Sequence, residues 1–206
     1  VAWFAPNYKY LAEVWRTVKE IVDPDIADKS ETEHRIQLRQ GGVIDFWSLD
    51  SADSPRGRAY ACVAIDEAAL VRDLDNAWNG AIRPTLTDLS GSAWLLSTPR
   101  GLNTFWQLYQ RGQDWADTEW ASWRLPTVSN PHINPQEVES QRHGLPERVF
   151  AQEFLAEFVA EGSGVFRKVT EAARLEPQPP KQGHQYVAGV DWGRVNDFTV
   201  ISVIDV

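Results

Sequence analysis

Two pairs of polar residues stand directly after apolar runs. They are the positions where this sequence is best equipped for chemistry. Ala61 to Ile65 ends in Asp66-Glu67, and Ala93 to Leu96 ends in Ser97-Thr98. An aspartate at a strand end can hold magnesium through its water shell, while a neighbouring glutamate orients or deprotonates an attacking water. Ala-Cys-Val-Ala-Ile-Asp-Glu thus has the pattern of a Walker B segment with a catalytic glutamate. Small hydroxyls after a second strand can sense a terminal phosphate and relay its loss. Each pair also has a plainer reading. Acidic residues after a strand serve as turn residues or caps, and Ser97 and Thr98 can cap the following helix. Upstream, Ser54-Pro55-Arg56-Gly57-Arg58 puts two guanidinium groups on one loop; a solvated turn is the better reading for Arg58.

A third acidic position lies near the far end. Tyr186 to Val190 delivers Asp191, followed by Gly193 and Asp197. A strand-end carboxylate can hold a divalent ion for phosphodiester cleavage, but such sites need several carboxylates converging. Asp197 reads equally well as a turn residue before a second strand, and Asp205 as that strand's end. Other metal chemistry has little support. His34, His132, His143 and His184 lack metal-ligand spacing, and Cys62 is the only cysteine.

The elements that must position these groups follow from apolar spacing. Val1 to Ala5 reads as a buried strand stopped by Pro6-Asn7. Leu11, Val14, Trp15, Val18, Ile21 and Val22 mark one face of a helix that Asp23-Pro24 ends. Arg35 to Leu38 and Val43 to Trp47 flank Gly41-Gly42 as a hairpin. Residues 72 to 88 read as mostly helical with a break near Pro84, and Thr104 to Gln110 as a helix. Trp120 to Leu125 is a candidate strand. After Pro146, Phe150, Phe154 and Phe158 predict one helix, and Glu176 to Gly183 a linker. Of the ten tryptophans, most fall at core spacing, Trp15 and Trp94 among them, while Trp192 is expected to be exposed. Strands alternating with helices predict a parallel α/β sheet, in which ligands sit beyond the carboxyl ends of the strands. Asp66-Glu67 and Ser97-Thr98 should then share one sheet edge.

Composition limits the partners. With 29 acidic against 20 basic residues the net charge is −9, which argues against coating nucleic acid through a broad basic face. No apolar run approaches the length of a membrane span. The chain has no methionine and both its ends read as strand interiors, so it is expected to be a piece of a longer protein.

Taken in order, the RG loop, the strand ending in DEAA and the segment LLSTPRG resemble the ATPase domain of viral large terminases. VAWFAPNYKYLAEVW resembles the strand and helix that follow the phosphate-binding loop in that family. WASWRLPTVSNPHINP and PERVFAQEFLAEFVAEGSGVF resemble its bridge between ATPase and nuclease domains. GVDWGRVNDFTVISVIDV resembles the first two strands of its RNase H-like nuclease. The implied architecture is an incomplete P-loop NTPase-like parallel sheet flanked by helices over residues 1–128. A helical bridge and linker over 129–184 and the nuclease start over 185–206 follow.

By resemblance, Asp66 holds magnesium, Glu67 activates water, and Ser97 and Thr98 couple ATP hydrolysis to movement. Arg56 acts as a finger on a neighbouring subunit's nucleotide, with Arg100 in reserve. Asp191 is the first nuclease ligand for magnesium or manganese, and Asp197 a second acidic position. The resemblance also implies double-stranded viral DNA, a ring of copies, a portal protein and a small terminase subunit as partners, at the procapsid in the host cytoplasm. One departure stands out: no G-x-x-x-x-G-K-[ST] occurs, so the phosphate cradle is expected upstream of Val1. The chain alone is therefore expected to be inactive. A helicase-type translocating ATPase and a non-catalytic interaction module remain the alternatives.

Overall fold

The computed structural model describes residues 1–50, 55–160, 179–193 and 199–205. The chain divides into two compact units, Val1–Gly162 and Ser163–Val206.

In the first unit a six-stranded sheet has the order β2-β3-β4-β1-β5-β6. Its strands are β1 (Ala2–Ala5), β2 (Ile26–Ser30), β3 (Arg35–Leu38), β4 (Val43–Ser48), β5 (Cys62–Ile65) and β6 (Ser92–Leu95). The four on the β6 side, β4-β1-β5-β6, are parallel. The two outer strands are antiparallel. The sheet is therefore mostly parallel. The hairpin expected around Gly41-Gly42 is present, with Gly41 at φ 87°; so short a turn permits only antiparallel pairing. Strand β2 had no signature, because Ile26-Ala-Asp-Lys-Ser carries one strong apolar residue and pairs only at the sheet margin.

Helix α1 (Tyr8–Val22) starts at Asn7, whose side-chain oxygen accepts from Lys9 N–H. It buries Leu11 and Trp15 against Ala5, Ile36 and Phe46. Each fully buried Leu, Ile or Phe contributes about 1.5–3 kcal/mol, which is what fixes α1 on this face. The opposite face carries Ala2, Phe4, Val63 and Ile65, covered by residues 74–89. That segment runs from α2 (Leu74–Asn76) through a π-helix (Ala77–Ile82) into a 3-10 helix (Arg83–Leu89). Helix α3 (Thr104–Arg111) adds Phe105 and Leu108.

Three sequence expectations are corrected here. Trp120 to Leu125 forms no strand. Trp120 instead meets Trp78 edge-on at 5.8 Å, with the Arg111 guanidinium 4.6 Å above its ring. Side-chain packing, not a ladder, half-buries Trp120, while Trp123 and Leu125 stay exposed. The phenylalanine helix is shorter than its spacing suggests. After α4 (Pro135–Gly144), α5 (Glu147–Glu153) keeps Phe150 and lets Phe154 stack on it at 5.1 Å. The chain then turns through Ala156 at φ 52°, and Phe158 packs on Tyr109 of α3 at 4.9 Å. Trp94 is not core. It is 53% exposed and stacks on Trp123, because no described strand pairs with the outer edge of β6.

In the second unit β7 (Tyr186–Asp191) and β8 (Val200–Asp205) form an antiparallel hairpin.

Candidate functional site

The parallel register decides where the polar pairs fall. Phe4 aligns with Ile65, and Ile65 with Leu95. The chain therefore leaves β1, β5 and β6 along one edge, and Asp66-Glu67 and Ser97-Thr98 emerge side by side. Backbone bonds hold the exits in place: Asp66 N–H donates to Phe4 O at 2.8 Å, Leu96 N–H to Ile65 O at 2.9 Å and Ala68 N–H to Leu96 O at 3.0 Å.

Glu67 sits in the left-handed region at φ 48°, ψ 41°. For a residue with a Cβ this costs about 1–2 kcal/mol, and the flanking bonds hold it there. The consequence is a carboxylate turned toward the neighbouring strand. Ser97 Oγ lies 3.3 Å from Glu67 Oε2 and 2.9 Å from the Thr98 carbonyl oxygen. One hydroxyl proton faces two acceptors, so the serine can donate to either and exchange between them. Thr98 itself is exposed. Ser97 and Thr98 do not cap the next helix, since Asn103 does so by accepting from Trp106 N–H at 3.3 Å. That removes the plainer reading of the hydroxyl pair.

Asp66 is half-buried, and its Oδ1 accepts from Glu67 N–H at 3.0 Å. Among the described residues its other oxygen takes no protein donor. An anionic oxygen held by one amide, at a strand end, fits the water shell of a magnesium ion.

Arg56 lies away along the chain, between β4 and β5. Its Nη2 comes within 3.9 Å of where a Cβ on Gly80 would sit, so it passes over the π-helix at its glycine. The segment carrying it returns to β5 through Tyr60. The Tyr60 hydroxyl donates to Asp45 Oδ2 at 2.8 Å and accepts from Trp47 Nε1 at 3.0 Å. Tyr60 N–H donates to Thr85 O at 2.8 Å.

At the hairpin, Asp191 faces Val200 at one end of the ladder, whereas Asp205 faces Tyr186 at the other. Asp205 instead meets His184 Nδ1 at 2.9 Å. Asp191 and Asp205 are therefore about 17 Å apart along the strands, too far to share an ion. Asp197 lies outside the described residues, and among those described no group of three or more His, Cys, Asp or Glu could hold a metal. Asp191 fits one ligand position. Trp192 beside it is 77% exposed, as expected.

The acidic pair and the hydroxyl pair, at one edge of a mostly parallel sheet, can be set against known proteins. No protein-family model matches the chain. The large terminase subunit of Escherichia phage T5 is 30% identical over 157 residues, covering 75% of this chain and 36% of that protein. The large terminase subunit of Thermus virus P23-45 is 29% identical over 180 residues, covering 77% and 37%. The chain belongs to the phage large terminase family.

Solved structures agree on the fold. The large terminase ATPase domain of Thermus phage P74-26 superposes with a TM-score of 0.63 at 24% identity, over 77% of this chain and 76% of that one. The large terminase of bacteriophage HK97 covers 98% of this chain and 48% of its own, with a TM-score of 0.60 at 14% identity. A large terminase of a thermophilic bacteriophage, solved in complex with ADP, gives 0.61 at 15% identity, over 100% of this chain and 51% of that one. At these identities the likeness speaks for the fold alone. This terminase chain spans a little over a third of the curated relatives' length, 36% and 37% in the two pairs.

Residues outside the sequence motifs also build the edge. Asn103 Nδ2 donates to Ala69 O at 2.9 Å and so straps the segment after Glu67 to the start of α3. An asparagine just before an apolar-periodic run signals an N-cap, but nothing in the sequence reveals its second bond across 34 positions.

Proposed function

We propose that this chain is part of a viral DNA-packaging motor in which ATP hydrolysis drives double-stranded DNA into a procapsid. The observation that carries it is the meeting of Glu67 and Ser97, side chains from two adjacent parallel strand ends, 3.3 Å apart. Glu67 takes the proton of the attacking water. Ser97 and Thr98 report phosphate loss to α3, with Ser97 turning between the glutamate and the Thr98 carbonyl. Asp66 holds magnesium through its water shell; when bound, the ion neutralises phosphate charge. Arg56 is carried on a loop and acts on the nucleotide of a neighbouring copy, which requires a ring. A large terminase of the same fold from a thermophilic bacteriophage is solved in complex with ADP, which supports nucleotide binding by this chain's family. A segment outside these 206 residues supplies the lysine loop, so this chain alone binds ATP weakly and hydrolyses it poorly.

In the full-length protein Asp191 supplies one ligand to magnesium or manganese at an RNase H-like nuclease centre that cuts the packaged DNA, with Asp197 a second acidic position. A portal protein and a small terminase subunit are its partners, at the procapsid in the host cytoplasm.

The test is ATP turnover by the full-length protein. Glu67→Gln is expected to lower it by about 10²–10⁴-fold with ATP still bound, because the amide cannot accept a proton. Arg56→Ala is expected to lower it by about 10³-fold or more, and mixing with Glu67→Gln subunits should restore part of it. Unchanged turnover in Glu67→Gln would rule out the proposed chemistry.

A further inference from the structure

Beside the acidic pair a cavity of about 400 Å³ opens between the two chain segments that leave the site. One wall is the segment after Glu67, ending at Arg72 to Leu74. The other is Arg100, Asn103 and Thr104, after Thr98. Arg72 and Arg100 are both exposed and neither forms an ion pair among the described residues. Arg35, Arg111, Arg124 and Arg142, by contrast, each have a carboxylate. The one acidic residue lining the cavity, Asp73, turns its Oδ1 to Asn76 N–H at 3.3 Å, capping α2. Two guanidinium groups facing one concavity repel each other, and a bound anion relieves that repulsion. The planar guanidinium fork matches phosphoryl oxygens better than any other common anion-binding side chain. In a chain of net charge −9, a contact with phosphate has to be local, and this cavity is local and basic.

We propose that the Arg72–Arg100 cavity grips phosphoryl oxygens, from a nucleic-acid backbone or from the polyphosphate of a nucleotide. The Asn103–Ala69 bond straps its two walls together. Arg72 follows Glu67 along one wall and Arg100 follows Thr98 along the other, so a change in the Glu67–Ser97 contact alters the spacing of the two guanidinium groups. This coupling rests on the ATPase reading; phosphate gripping does not.

The test uses this chain, a short fluorescein-labelled DNA duplex followed by anisotropy across a salt series, and inorganic tripolyphosphate as the second probe. Arg72→Ala with Arg100→Ala is expected to weaken duplex binding about tenfold or more. The slope of log affinity against log salt should shrink by roughly two, one for each lost phosphate contact. Arg72→Lys with Arg100→Lys should keep most of the slope at lower affinity, which separates charge from folding. Arg16→Ala with Arg39→Ala, an equal charge change on exposed positions, should leave binding within about twofold. If tripolyphosphate alone loses affinity, the gripped phosphates belong to a nucleotide. If both probes bind the double alanine variant as they bind the wild type, or if neither binds the wild type, the cavity is no phosphate site. Either result is independent of whether Glu67→Gln abolishes turnover.

Discussion

Asp45 is 3% exposed, and two side chains donate to its carboxylate. Tyr60 donates at 2.8 Å, and Arg35 Nη1 reaches both oxygens at 3.1 and 3.3 Å; Trp47 completes the cluster through the Tyr60 hydroxyl. Burial first, and then the bond to Asp45, push the Tyr60 phenol above its ordinary value of 10.0. The folded chain thus holds that proton more tightly than the unfolded one. The resulting stabilisation is complete below the ordinary tyrosine value and is lost as pH rises above it. The urea midpoint of the wild type should therefore fall on passing above pH about 10. Tyr60→Phe should lose about 1–3 kcal/mol at neutral pH, because Asp45 and Trp47 each lose a partner, and should show a flatter alkaline limb. An equally steep limb in the variant would assign the alkaline loss to other groups. Because Tyr60 anchors the return of the Arg56 segment into β5, the same variant is expected to slow turnover in the full-length protein.

Among the elements, β6 has the least tolerance at its start. A Cβ on Gly91 would stand 2.4 Å from Tyr60 O, 2.8 Å from Leu86 Cδ2 and 3.0 Å from Ala61 O. Two of those atoms are backbone, so relief requires moving a strand approach and not just a side chain. Gly91→Ala is expected to destabilise the chain by about 1–3 kcal/mol, read as a lower midpoint in thermal unfolding. Since β6 carries Ser97 to Glu67, the shift should also reach the functional edge. An unchanged midpoint would mean that the approach is looser than these distances indicate. On the other face α1 is held by the Asn7 cap and by Leu11 and Trp15, with Val14, Val18 and Val22 packed beside them.

At the scale of the whole molecule, among the described residues every buried side chain belongs to Val1–Gly162, while all the residues of β7 and β8 are exposed. A chain ending at Gly162 is therefore expected to unfold cooperatively with a midpoint within a few degrees of the longer one, by circular dichroism. A large drop would show that the first unit draws stability from the second. The net charge of −9 has its own consequence: phosphate contacts depend on a few arginines held in place by the fold, which is why two substitutions suffice to test them.

Strand-forming apolar runs, the helix face from Leu11 to Val22, the glycine hairpin and the order of the polar pairs were legible in the amino-acid sequence. Each is a local matter of side-chain period or turn chemistry. So was the shared edge of Asp66-Glu67 and Ser97-Thr98, because parallel strands place successive carboxyl ends together. Tertiary structure alone decided the rest. It turned Glu67 through a left-handed residue to meet Ser97, left Trp94 exposed on the edge strand β6, and made Trp120 a packing residue instead of part of a strand. It also brought Arg72 and Arg100 to one cavity. These outcomes depend on which surfaces face each other across many residues. Periodicity reports only which face of an element is apolar, not what that face will meet.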